Sequence, residues 1–113
     1  MNLRTLGIEA TSSRAVGQRV HHSCSLTELQ LRALLAELPV GSEVSVPDIG
    51  EGECFRESRR TDGGFEIKLG CHGAYGTWRS ATFREAEAWL VPGLAIAART
   101  CRPGYGVNLE LPR

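Results

Sequence analysis

The chain has 113 residues, 42% of them hydrophobic and 23% charged, which predicts one globular domain over residues 1–113 and argues against disorder. Its formal net charge of zero disfavours a general nucleic-acid binder, which carries a basic excess, and a DNA mimic, which carries an acidic one. No run approaches the roughly 20 apolar residues of a membrane span, and the first residues lack the apolar segment of a signal peptide, so we expect a cytoplasmic protein with no membrane partner.

The first 24 residues form the least regular part of the sequence. Leu3, Leu6 and Ile8 have the spacing of a short strand, whereas the polar stretch 10–23 is typical of an irregular arm or a weakly formed strand. An arm this polar needs the rest of the domain or a partner to hold it in place. Residues 1–24 are therefore predicted to be a polar arm or an edge strand.

A helix is predicted after Ser25. Ser25 and Glu28 fit a capping box, in which the serine side chain and the glutamate satisfy free N–H groups at the start of a helix. One apolar face follows at helical spacing and consists of Leu31, Leu34, Leu35 and Leu38. Pro39 and Gly41 end the helix.

Strands are predicted next. Residues 43–46 alternate between polar and apolar side chains, as a half-buried strand does. Residues 54–59 and 65–69 flank Asp62-Gly63, a strong hairpin signal because glycine accepts positive φ. The glycine-rich segment up to residue 76 is a predicted loop, and residues 77–80 can add another strand.

A second capping box, Thr82 with Glu85, predicts the start of another helix. Its apolar face consists of Phe83, Ala86, Trp89 and Leu90. Pro92-Gly93 is expected to end or kink this helix, and residues 94–100 are helical again. After a turn at 102–104, residues 105–111 alternate as a last strand.

This order of elements predicts an α+β fold. We expect a small antiparallel sheet of three to five strands with two or three helices packed on one face.

The four cysteines are scattered, and no two have the close spacing of a zinc or redox site; they are Cys24, Cys54, Cys71 and Cys101. Without a secretion signal a disulfide framework is not expected. We therefore predict free cysteines that pack as small hydrophobes, with no metal and no cofactor.

The pair Cys71-His72 is the one candidate for chemistry, as a nucleophile beside a base or as two metal ligands. Adjacent residues of an extended chain point to opposite sides, which disfavours both uses. The sequence has no recognised catalytic or phosphate-binding motif. A non-enzymatic protein is therefore predicted, with a cysteine- or metal-dependent enzyme as the distant alternative.

Residue types enriched at binding hot spots concentrate in the predicted hairpin and after the following loop. The candidate partner-binding residues are Arg56, Arg59, Arg60, Tyr75, Trp78 and Arg79. A charged hairpin can grip an acidic protein surface or enter a groove of DNA. It can also be a solvated strand whose charges prevent aggregation.

Two resemblances add to this interpretation. Residues 64–69, followed by 78–90 with its "EAEAWL" run, are similar to the arm-binding domains of phage-type integrases, where a small sheet contacts DNA and a helix backs it. This hairpin lacks the lysine and arginine richness of such sheets, and it carries Glu66. The order strand, helix, Arg-Pro turn and last strand is similar to small immunity proteins of bacterial toxin systems, and small phage inhibitors of host defence share the size.

The predicted function is a non-enzymatic protein-binding module that inhibits a larger protein, of the toxin-immunity or phage anti-defence type. The alternative is a small nucleic-acid-binding module that uses the arginines of the hairpin. Neither resemblance transfers a binding residue to this chain.

Overall fold

The computed structural model describes residues 1–48, 54–71, 76–100 and 106–113. Over these residues the chain is α+β, with one seven-stranded antiparallel sheet and two α-helices. A 3₁₀ helix at Leu3–Leu6 is followed by β1 (Ala10–Val16), β2 (Arg19–Cys24), α1 (Glu28–Glu37), β3 (Glu43–Pro47), β4 (Cys54–Thr61), β5 (Gly64–Cys71), β6 (Arg79–Ala81), α2 (Phe83–Thr100) and β7 (Val107–Pro112). The strand order is β1-β2-β7-β3-β4-β5-β6.

The predicted class is confirmed, but the prediction of three to five strands was too low. The segment predicted to be a polar arm or an edge strand folds as the hairpin β1–β2, which adds two strands to the sheet and places β1 at its edge. Gly17 and Gln18 form its two-residue connection, and Gly17 has a φ of 59°, which glycine adopts at little cost. The predicted strand at the N-terminus was wrong, because Leu3–Leu6 is a 3₁₀ helix capped by the side chain of Asn2.

The first helix begins two residues later than predicted. Thr27, not Ser25, is the N-cap: Gln30 N donates to Thr27 Oγ1 at 3.1 Å, and Thr27 N donates to Gln30 Oε1 at 2.9 Å. The sequence offers two overlapping capping boxes, and the later one forms. It places Leu26 and Leu31 at the two positions of a hydrophobic staple, and both side chains lie in the core.

Two further local predictions are confirmed. Asp62 and Gly63 form the turn between β4 and β5, although the positive φ of 151° belongs to Gly64. At the start of α2, Thr82 N donates to Glu85 Oε1 and Glu85 N donates to Thr82 Oγ1, both at 3.1 Å. The hairpin and this cap are local features, which is why a short sequence window suffices to predict them.

Pro92-Gly93 does not end the helix, since α2 continues through it to Thr100. The alternative, a kink at Pro92, stays a prediction. Gly93 has a packing role. A Cβ at Gly93 would lie 2.5 Å from Pro47 O and from Val46 Cγ2, so glycine lets the helix cross β3 at close range. The predicted turn at 102–104 lies outside the described residues.

Alternating side chains divide the sheet into two faces. One face packs against α2, which crosses β3, β4 and β5, and α1 in turn packs on α2. This helix-packed face supplies the core positions Val44, Val46, Phe65, Ile67, Val107, Leu109 and Leu111. The alternate residues form the other face, called here the open face: His21, Ser23, Glu43, Ser45, Glu57, Arg59, Glu66, Lys68, Asn108 and Glu110. These polar side chains are partly exposed.

Within the described residues, no helix is long and apolar enough to cross a lipid bilayer.

Candidate functional site

The arginines of β4 do not share one surface. Because side chains alternate along a strand, Arg56 and Arg60 lie on the helix-packed face and Arg59 lies on the open face. The predicted patch of three neighbouring arginines is therefore divided between two sides of the sheet. Their proposed contact with a partner stays a prediction.

Arg56 connects β4 to α2. Its Nε donates to Asp48 Oδ1 at 2.8 Å, and its Nη1 donates to Trp89 O at 3.2 Å, one turn before the proline of α2. The guanidinium carbon lies 4.4 Å from the centre of the Trp89 ring. With 22% of its side chain exposed, Arg56 is largely used within the fold.

Two other predicted contact residues also lie on the helix-packed face, beside aromatic rings. Arg60 lies over Phe65, with 4.9 Å from Cζ to the ring centre, and its Nη1 donates to Gly64 O at 2.7 Å. Arg79, which is exposed, lies 5.9 Å from the Trp89 ring centre. Tyr75 lies outside the described residues.

The structure brings Arg59 and Trp78 together on the open face, in what we call the Trp78 cluster (Arg59, Glu66, Lys68 and Trp78). Arg59 Cζ lies 4.3 Å and Lys68 Nζ lies 4.7 Å from the centre of the Trp78 ring. Arg59 Nε donates to Glu66 Oε1 at 2.9 Å. Two cations thus pack against one partly exposed ring, an arrangement that fixes the tryptophan and keeps it at the surface.

Next to this cluster the open face contains a cleft of 380 Å³. We call it the acidic cleft; its lining is His21, Glu43, Val44, Ser45, Phe55, Glu57, Asn108 and Glu110. Glu43 is directly opposite Arg59 in the β3–β4 register, so the acidic cleft and the Trp78 cluster form one continuous surface.

Two carboxyl groups oppose each other in the acidic cleft. Glu43 and Glu110 are cross-strand neighbours in the β3–β7 register. Like charges in that position destabilise a sheet. Arg19 compensates in part, since its Nη1 lies 3.2 Å from Glu110 Oε2 and 3.9 Å from Glu43 Oε2.

Burial raises the pKa of Glu43 above its ordinary value, and the neighbouring carboxylates of Glu110 and Glu57 raise it further. A hydrogen bond with Glu110 adds to this effect, while Arg19 opposes it. The ionised carboxylate of Glu43 is therefore poorly accommodated in the free protein. A second cation entering the cleft would relieve this repulsion.

Hydrogen bonds hold the other wall of the cleft in place. Asn108 Oδ1 accepts from Ser23 Oγ at 3.2 Å and lies 3.3 Å from His21 Nε2. On the opposite ring edge, His21 Nδ1 lies 3.7 Å from Glu110 Oε1. Glu57 pairs with Lys68, at 3.4 Å.

The acidic cleft was not predicted from the sequence. Glu43 and Glu110 lie in distant segments, and only the insertion of β7 between β2 and β3 places them side by side. The alternation in each strand indicates that both side chains avoid the core. The alternation of polar and apolar residues does not predict which strands are neighbours in the sheet.

The structure corrects the prediction for one cysteine. Cys24 is free and buried, as expected, but Cys54 is disulfide-bonded. Cys71 is directly opposite Cys54 in the β4–β5 register. Cross-strand neighbours have a Cα separation that a disulfide can bridge, and this relation is not visible from spacing along the sequence.

The candidate chemistry of Cys71-His72 stays a prediction, since His72 and the side chain of Cys71 lie outside the described residues. Among the described residues, no group of three histidine, cysteine, aspartate or glutamate side chains is arranged to hold a metal ion.

No known protein family, curated protein or solved structure matches this chain. The two resemblances noted above therefore depend on the quoted residues alone, and function has to be inferred from the site.

Proposed function

We propose that this chain is a non-enzymatic protein-binding module that inhibits a larger protein through the open face of its sheet. The observation that carries the proposal is the opposed pair Glu43 and Glu110 in the acidic cleft. Such a pair weakens the free fold, and a local conflict of this kind is typical of a functional site.

The chemistry of the cleft favours a basic partner. An arginine or lysine side chain entering it would meet two carboxylates at once, and arginine can bind a carboxylate through two parallel hydrogen bonds. The cleft is partly shielded from water, which strengthens such a contact. The adjoining Trp78 cluster supplies tryptophan and arginine, residue types enriched at binding hot spots.

Binding would inhibit the partner if the basic surface that enters the acidic cleft is the partner's own functional site. Proteins that act on nucleic acids hold phosphate groups with lysine and arginine, so an acidic cleft would compete for the same side chains. This supports an inhibitor of the toxin-immunity or phage anti-defence type.

The nucleic-acid-binding alternative is less well supported. Its four arginines lie on both sides of the sheet, and Arg59 on the open face is bound to Glu66. The carboxylates of the acidic cleft would repel phosphate. The cytoplasmic location stays a prediction, and the disulfide at Cys54 is a feature more common in oxidising compartments.

An affinity-capture experiment in the native lysate tests the proposal. The baits are the wild-type chain, the double variant Glu43→Gln/Glu110→Gln, and Glu37→Gln as a control for charge loss away from the open face. Glu37 is exposed on α1, so its loss of one negative charge leaves the open face unchanged. We expect a protein with a basic surface that wild type and control retain and the double variant loses.

The captured protein is then purified and mixed with each variant, and its activity and its affinity for the variant are measured. Loss of affinity with Arg59→Ala or Trp78→Ala would extend the interface to the Trp78 cluster. A partner that the double variant binds as tightly as wild type does, or whose activity the wild-type chain leaves unchanged, would contradict the proposal.

A further inference from the structure

The two edges of the sheet are protected to different degrees. β6 ends one edge with only three residues. β1 ends the other with seven residues, all exposed, and among the described strands it pairs with β2 alone. It contains no proline and a single charge, Arg14. Such an edge presents unpaired backbone N–H and C=O groups to any extended chain, and natural sheets usually block it.

One edge-protecting feature is present at the start of β1. The register shifts between Ala10 and Ser12, which is a bulge or irregularity. From Ser12 to Val16 the pairing with β2 is regular. The free edge over residues 12–16 is therefore suitable for the addition of another strand.

A cleft of 610 Å³ adjoins the same strand, on the side of the sheet that carries His22. Its lining includes Leu3, Arg4, Glu9, Ser13 and His22, so one carboxylate lies in the cleft together with one arginine. Ser13 Oγ lies 2.7 Å from His22 Nδ1, which fixes the wall formed by the hairpin. Because the pleat continues from strand to strand, an added strand would direct alternate side chains towards this cleft.

The charge of the β1–β2 hairpin indicates which kind of strand could be added beside β1. Residues 10–24 contain two arginines and two histidines and no carboxylate, although Glu9 directly precedes them and Arg19 is already paired with Glu110. No acidic side chain of the described residues forms an ion pair with Arg14, whose cross-strand neighbour is His21. A carboxylate opposite Arg14 on an added strand would supply the missing charge.

We infer that β1 is a docking edge for an acidic, extended segment of another protein, which binds by strand addition. Main-chain hydrogen bonds to β1 provide affinity, and side chains that enter the neighbouring cleft provide selectivity. This site does not depend on the acidic cleft, although Arg14 lies on the open face as the cross-strand neighbour of His21, which lines that cleft.

A second copy of the chain fits this edge less well. It would bring two cationic hairpins together, and the side chains that β1 itself directs to the cleft side are small, namely Ala10, Ser13 and Ala15. They would leave the cleft largely unfilled. An acidic segment with larger side chains would both pair with Arg14 and fill the cleft beside β1.

Amide NMR of the full chain tests this inference with two synthetic peptides as long as β1. One alternates glutamate with valine, and the other alternates lysine with valine. We expect the acidic peptide to shift the amide signals of residues 12–16 and to slow their hydrogen exchange. The basic peptide should bind more weakly, by up to about five-fold, as one cross-strand ion pair of roughly 0.2–1 kcal/mol predicts.

Arg14→Glu should reverse the preference between the two peptides, whereas Arg84→Glu, an equal change of charge on the exposed side of α2, should not. Both residues are exposed, so neither variant is expected to unfold the protein. Three results would overturn the inference: no response at β1, equal binding of both peptides, or self-association of the free chain through β1.

Discussion

The two faces of the sheet use the same residue types for different purposes. On the helix-packed face Arg56 stacks on Trp89 and is bonded to Asp48 and to a carbonyl of α2. On the open face Arg59 stacks on Trp78 beside Lys68, and the assembly stays partly exposed. Arg56 therefore contributes to the packing of α2, whereas Arg59 holds Trp78 in place at the surface.

This difference shows why arginine content alone does not identify a binding surface. In β4, arginines that are neighbours in sequence belong to opposite faces. Only the groups that each arginine contacts within the fold show whether it has a structural role or is available to a ligand. Mutations on the two faces should therefore have different effects. Mutations on the helix-packed face should lower the stability of the protein, and mutations on the open face should weaken partner binding.

The largest effect is expected from Leu109→Ala. Leu109 is fully buried in β7, an interior strand between β2 and β3, so its truncation should lower the free energy of unfolding by roughly 2–5 kcal/mol. Ser45→Ala, on the open face of the adjacent β3, is the control and should change it by less than about 0.5 kcal/mol. Denaturant unfolding measures both values. Similar losses in the two variants would contradict the division into a core face and an open face.

A smaller difference should separate the two stacked arginines. Arg56→Ala removes charge-assisted bonds to Asp48 and Trp89 and should cost about 1.5–3 kcal/mol of unfolding free energy. Arg59→Ala breaks a more exposed pair and should cost less than about 1 kcal/mol. Equal costs, measured in the same denaturant series, would show that Arg59 also has a mainly structural role.

The smallest expected effect is a gain in stability. The pKa of Glu43 is raised in the folded state, so its ionisation disfavours folding as pH rises through that value. Glu43→Gln should therefore stabilise the protein at pH 7 by about 0.2–1 kcal/mol. The gain should vanish below the ordinary pKa of 4.5, where the carboxyl group is protonated in both states. Thermal unfolding across this pH range measures it, with Glu37→Gln as the control.

Local features of this fold were predictable from sequence. The turn at Asp62-Gly63 and the cap at Thr82 depend on a few adjacent residues, and both were found. The β1–β2 hairpin was missed because every residue of β1 is exposed, which removes the polar–apolar alternation that marks a half-buried strand.

The candidate site was predicted only in part. Arg59 and Trp78 are in contact on the open face, and their contact with a partner stays a prediction. The acidic cleft depends on the position of β7 in the sheet, and therefore on contacts between distant segments. In the same way, Pro92-Gly93 was predicted to end or kink a helix, and the close contact of Gly93 with β3 was not predicted because it is a tertiary feature.

The most direct test of the open-face proposal measures stability and binding in a single variant, Glu43→Gln. Calorimetry with the captured partner gives Kd, and denaturant unfolding of the free chain gives its stability. We expect the variant to be more stable than wild type and to bind the partner about tenfold or more weakly, because the carboxylate that weakens the free fold is the one that meets the partner's cation. A variant that gains stability and keeps the wild-type Kd would contradict the proposal.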